Sequence, residues 1–277
     1  MQSVVLLILL ALLMLIGFVL LKEPRTDRTW LPEQAIAATA EIENDIVTIR
    51  GVRDWTYDEE APLTTDWNDV SVDPSTIVRT WFLVEPFSDI EAVGHTFLSF
   101  ELENGTVLSF SVEARREATE EYSAIKGQFR EYELAYQWGT ERDFVTRRLI
   151  NLDHPLRLYP LTLTPEQSQA LFRSLAEETQ TLSEEPRFYN TLTANCTNVL
   201  AKIVNRHYPG TLPYDIAWNL TGYADLYLME QGLIETTTSK EEAIAAHDLT
   251  PFRTEIMKSA TTSPTDFSKS IRSLISY

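Results

Sequence analysis

Apolar residues in this chain recur with two different periods, and the change from one to the other falls near residue 163. Before it, strand-like runs follow one another: Ile46 to Val52, Ile77 to Val84, His95 to Leu102, Thr106 to Ala114, Tyr132 to Trp138, Phe144 to Ile150 and Leu156 to Leu163. After it, apolar positions fall at helical spacings. Strands followed by helices predict an α+β fold, not alternating βαβ units. Asn104-Gly105 is a hairpin signal, because both residues tolerate positive φ. Thr164-Pro165-Glu166-Gln167 reads as a capping box with proline at the first helical position. The helix it opens aligns Leu171, Leu175 and Leu182 and runs to about Glu184. A second helix starts near Asn195-Cys196, with Val199, Leu200, Ile203 and Val204 on one face, and stops at Pro209-Gly210. Ala224 to Gln231 reads as a third, and Glu33 to Ala40 carries a short helical pattern.

Val4 to Leu21 is an unbroken apolar run of 18 residues. As a helix it reaches about 27 Å, close to the hydrocarbon thickness of a bilayer. No Lys or Arg precedes it, and no small-x-small cleavage site follows before Lys22-Glu23-Pro24-Arg25, which argues for an uncleaved single-span anchor over a signal peptide. Lys22, Arg25 and Arg28 follow the span, so the positive-inside rule taken alone places the main domain in the cytoplasm. The expected organisation is an anchor over 1–21, a polar linker over 22–45, a catalytic domain over 46–235 and a polar, loosely packed extension over 236–277.

The formal charge is −18, from 23 Lys+Arg against 41 Asp+Glu. That balance argues against nucleic acid as a partner, because phosphates reward basic clusters. The single cysteine excludes an intrachain disulfide framework and any cysteine-clustered metal site. His95, His154, His207 and His247 lie far apart without metal-ligand spacing, so neither a metal nor a cofactor is expected.

The lone thiol sits in Asn195-Cys196-Thr197-Asn198, at the start of an amphipathic helix. With Asn195 as N-cap, unpaired backbone N–H groups and the positive end of the helix dipole favour a thiolate at Cys196. A thiol nucleophile needs a base. His154 precedes Pro155 in an apparent surface turn, His207 lies about 16 Å from the thiol along the helix, and His247 falls in the polar tail. His95, at the head of a strand, is the base by elimination. A third, orienting member is expected on the paired strand, where Ser109, Ser111 and Glu113 stand. Glu113 is the candidate, although Arg115 or Arg116 is placed to neutralise it. An ideal two-residue turn puts Glu113 on the face opposite His95, so this role requires a bulge or a longer loop. Asn195, Ser111, Arg115 and Arg142 are candidate substrate-binding residues. The Glu141-Arg142-Asp143 cluster reads more readily as a brace for the sheet.

These segments together resemble the Lnb N-terminal periplasmic domain family of bacterial envelope proteins. The resemblance runs from Asp27-Arg28-Thr29-Trp30 to about His207, and more weakly to Asp266-Phe267-Ser268. Its strongest pieces are the strand from His95 to Phe100, Ser111 to Glu117, Tyr122-Ser123, Tyr136 through Asp143 and Phe188 to Thr197. It implies a papain-like fold in permuted order, histidine strand before cysteine helix, similar to the NlpC-like and lecithin–retinol acyltransferase groups. It also implies a periplasmic domain, anchored here in the inner membrane, and a link to lipoprotein N-acylation. Cys196 would take an acyl chain from a phospholipid as a thioester and pass it to a lipoprotein amino group. A cysteine amidase or peptidase of the envelope, and a non-catalytic envelope binding module, remain open alternatives at this point.

Overall fold

A computed structural model describes residues 4–6, 9–10, 14, 17, 19–236 and 238–275. Most of the expected anchor lies outside the described residues. Among those described, no helix is long and apolar enough to cross a membrane.

The fold is α+β, with one large sheet followed by helices. The strands are β1 (Thr39–Glu43), β2 (Ile46–Tyr57), β3 (Pro62–Val72), β4 (Ile77–Glu85), β5 (His95–Leu102), β6 (Val107–Arg115), β7 (Glu133–Thr140) and β8 (Arg157–Pro160). Their order across the sheet is β1-β2-β7-β6-β5-β4-β8, with β3 paired on β2. All pairings are antiparallel except a single parallel contact of β2 with β7 at Arg53 and Gly139.

Side chains alternate between the two faces of a sheet, and the two cores follow that alternation. Leu98, Phe100, Leu108, Phe110, Val112 and Ala114 face the larger cluster. It is closed by α2 (Pro165–Glu184) and α3 (Cys196–His207), whose reciprocal caps are Thr164/Gln167 and Asn195/Asn198. Trp81, Leu83 and Phe97 face the smaller cluster. That side is closed by α1 (Glu141–Thr146), a π-helical turn over Arg147–Asn151, and the C-terminal helices.

The structure corrects the expected elements in four places. Phe144 to Ile150 is helical, not extended: Thr140 caps α1 by accepting from the Asp143 N–H, and Phe144, Val145, Leu149 and Ile150 all bury on one side of the sheet. The helical pattern at Glu33 to Ala40 shrinks to one turn, Pro32–Gln34, before β1. Part of the segment read as linker therefore belongs to the sheet, and Trp30 packs under the Arg115 guanidinium, 4.2 Å from its ring centre. The stretch read as a loose extension instead forms α5 (Lys240–Ala246), α6 (Arg253–Ser259) and α7 (Pro264–Arg272), after α4 (Ala224–Glu230). Leu249, Ile256, Phe267 and Ile271 from this stretch are fully buried in the smaller core.

The β5–β6 hairpin decides the site. Glu101 pairs with Val107, and a further bond runs from the Leu102 N–H to the Thr106 carbonyl. Glu103, Asn104 and Gly105 therefore form a three-residue connection, with Gly105 at φ +82°, in place of the ideal two-residue turn. The extra residue shifts the register by one. His95 and Glu113 then lie opposite each other on the same face.

Candidate active site

His95 is the first residue of β5, and β4 places Glu85 directly across from it. Glu85, His95 and Glu113 therefore line up over three adjacent strands on the face of the smaller core. The loop leading into His95 is clamped: the Gly94 N–H donates to Thr221 Oγ1 at 3.2 Å, and the Thr221 hydroxyl donates back to the Gly94 carbonyl. Gly94 and Gly222 touch backbone to backbone, where a Cβ on Gly94 would stand 2.9 Å from the Gly222 Cα. Only glycine permits that approach.

Cys196 arrives from the opposite side of the sheet, as the first residue of α3, and is 4% exposed. Asn195 Oδ1 accepts from the Asn198 N–H at 2.8 Å, and the Asn195 amide donates to the Thr191 and Trp218 carbonyls at 2.9 Å each. Thr197 reaches back to Thr96 on β5, 3.0 Å between hydroxyl oxygens. These bonds pin the N-terminus of α3 at the end of the sheet, where the thiol meets His95.

The polar chain behind the thiol is continuous. Ser111 donates to Glu113 Oε1 at 2.6 Å. Its hydroxyl hydrogen is thereby spent, so at 2.7 Å from His95 Nε2 it accepts. Glu113 Oε1 also lies 3.2 Å from the same nitrogen. Burial opposes the charge on His95, but Glu113 and the Cys196 thiolate overcome it and raise the imidazole pKa to about 10. Burial likewise opposes the thiolate, yet His95 and contacts from Thr96 bring Cys196 below the usual thiol value. Glu113 is driven far below the ordinary carboxylate range: its own burial works against this, and His95, Arg148 and Ser111 outweigh it. Both directions favour a thiolate beside an imidazolium.

Arg148, not Arg115 or Arg116, is the arginine on Glu113. It lies 3.5 Å from Glu113 Oε1, donates from Nε to Glu85 Oε2 at 2.7 Å, and stacks 4.3 Å above the Phe97 ring centre. Arg115 instead donates to the Gln34 and Ala35 carbonyls. Arg142 binds Asp54 Oδ1 at 2.8 Å and the Thr262 carbonyl, away from the thiol. Its neighbours brace the sheet: Asp143 grips Arg53 with two short bonds, and Glu141 accepts from Arg272 at 2.6 Å.

A cavity of about 390 Å³ opens over the thiol, lined by His95, Glu113, Cys196, Tyr189, Arg148 and His154, among others. Burial, reinforced by the Cys196 charge, keeps the Tyr189 phenol protonated. Among the described residues no cluster of potential ligands is able to hold a metal ion.

A family model for the Lnb N-terminal periplasmic domain matches residues 63–221, more than half of the chain. This chain belongs to the Lnb N-terminal periplasmic domain family. No curated protein matches it, and no solved structure matches it.

The Lnb-type span contains every residue of the polar chain, from Glu85 to Cys196. Of these, Glu85 and Arg148 escape a reading of the sequence, His154 is set aside there as a surface residue, and Tyr189 enters only within the Phe188 to Thr197 segment of the resemblance. The one available signal was the register: a strand pairing before β5 necessarily sets a residue across from His95, and Glu85 closes the β4 apolar run. Arg148 carried no signal, because its segment reads as a strand.

Proposed function

We propose that this Lnb-type domain is a thiol enzyme working through an acyl-thioester at Cys196, and that it is an acyltransferase of the bacterial envelope. The observation that carries this reading is the hydrogen-bonded chain from His95 through Ser111 to Glu113, set beside a thiol at a helix N-terminus. Cys196 is the nucleophile, His95 the general base and acid, and Glu113 the residue that orients the ring. With Nε2 held by Ser111 and Glu113, Nδ1 is the nitrogen left to exchange a proton with sulfur and leaving group. The Cys196 and Thr197 N–H groups, which have no partner within a helix's first turn, serve the oxyanion.

The order of histidine strand before cysteine helix fits a permuted papain-like fold. A single apolar span in the inner membrane, with the main domain periplasmic, suits a phospholipid donor and a lipoprotein amine as acceptor. The test is mass spectrometry of the full chain after incubation with phospholipid vesicles. A thioester on Cys196 is expected, lost in Cys196→Ser and discharged by added amine acceptor. Intact cells in which no label ever reaches Cys196 under native membrane conditions would sink the reading. Discharge by water alone, at a rate that amine does not change, would make the protein a hydrolase instead. A thiol reagent that cannot cross the inner membrane tests topology, since it labels Cys196 in intact cells only from the periplasmic side.

A further inference from the structure

His154 is only partly exposed, not the surface residue that its place before Pro155 suggests. Its ring packs 6.2 Å from that of Phe87 and lines the same cavity as His95 and Cys196. Its Nδ1 lies 2.6 Å from Glu85 Oε1, and its side chain keeps 30% exposure.

Glu85 is the residue directly opposite His95 in the β4–β5 ladder. Opposed residues of antiparallel strands share a face, with Cα atoms about 4.5–5.5 Å apart. The Glu85 carboxylate therefore stands beside His95 and presents its other side to His154. Glu85 is itself buried and accepts from Arg148 through Oε2. Burial resists its charge, and Arg148, His154 and His95 prevail, so the carboxylate is ionised. An ionised acceptor holds the proton on Nδ1, so that whenever the ring is neutral its lone pair is on Nε2.

We propose that His154, oriented by Glu85, is a second acid–base catalyst that deprotonates the nucleophile discharging Cys196. The proposal rests on the thiol reading above and divides that reaction between two imidazoles. In the first half, thiolate attacks the acyl carbon, the carbon–oxygen bond breaks, and the leaving oxygen takes the His95 proton. Glu113 remains beside His95, so that ring recovers a proton from solvent and is cationic again. In the second half, an amine nitrogen attacks the thioester carbon and its proton passes to His154 Nε2. The carbon–sulfur bond breaks, Sγ returns as thiolate beside the His95 cation, and His154 sheds its proton to solvent.

p-Nitrophenyl octanoate and benzylamine separate the two halves in the purified full chain. The burst of p-nitrophenolate reads acylation, and the steady rate after it reads discharge. His154→Gln is expected to keep the burst rate within about twofold and to lower the steady rate about 100-fold, the usual worth of a positioned base. The thioester then accumulates, visible by mass. Added imidazole is expected to restore discharge in His154→Ala. An unchanged steady rate in His154→Gln overturns the proposal while the thiol reading stands. So does an equal fall of burst and steady rate in both variants that imidazole does not rescue. A wild-type protein with no burst overturns the thiol reading itself.

Discussion

At the scale of single residues, the site is a contest between burial and charge. A thiol that is 4% exposed ought to be a poor acid, because low dielectric disfavours the thiolate. One adjacent imidazolium reverses that balance. Alkylation of Cys196 by iodoacetamide reports the thiolate, and its rate is expected to rise with pH to a midpoint below the ordinary thiol value. His95→Ala removes the cation while burial stays, so the midpoint moves upward. Under the proposed mechanism turnover has a second limit: His95 loses its proton as pH rises through about 10, and the leaving group would then lack an acid. Activity is therefore expected to fall above that pH while alkylation continues, which a paired pH profile checks. Arg148 is the residue whose loss costs most. Arg148→Met strands Glu85 and Glu113 without their shared cation, and breaking a buried pair this way costs about 3–5 kcal/mol, measurable by urea unfolding.

At the scale of elements, register and capping matter more than composition. Two-residue turns are the commonest hairpin connections, and one here would have put Glu113 on the wrong face. The connection Glu103-Asn104-Gly105 adds a residue and brings it round. Gly105 at φ +82° is the position that admits the turn. Gly105→Ala is expected to cost about 1 kcal/mol in a denaturant titration and to leave Cys196 alkylation unchanged. Asn195→Ala is a sharper change. It removes the N-cap, worth about 0.5–2 kcal/mol, and leaves the Thr191 and Trp218 carbonyls short of a donor. A lower unfolding midpoint and a slower alkylation of Cys196 are expected together, because the same cap that stabilises α3 aims its free N–H groups.

At the scale of the whole molecule, the sheet joins two cores, and the site lies where they meet. Cys196 belongs to the core under α2 and α3, whereas His95, Glu113 and Arg148 stand over the one closed by the C-terminal helices. The C-terminal stretch is therefore structural to the site. Truncation after residue 247 would remove Leu249, Ile256, Phe267 and Ile271 and leave buried Glu141 without Arg272. Such a chain is expected to lose cooperative unfolding and to fall to limited proteolysis. Phe267→Ala alone is expected to cost about 3–5 kcal/mol, the usual worth of a deleted core phenylalanine.

The local half of this was legible from residues alone. The change of hydrophobic period gave strands before helices, Asn195 announced a cap, and the one cysteine at a helix start with one histidine at a strand start named the pair. Those signals are carried by neighbours in sequence, where backbone propensity and capping act. The rest depended on distance along the chain. Residues 144–150 read as a strand and became α1 with its π turn, because packing against β2 and the smaller core outweighed local preference. That same turn delivers Arg148 to Glu113 and places His154 on Glu85. The face on which Glu113 lies, and the arginine that holds it, were decided by register and tertiary packing, which couple positions that no local period connects.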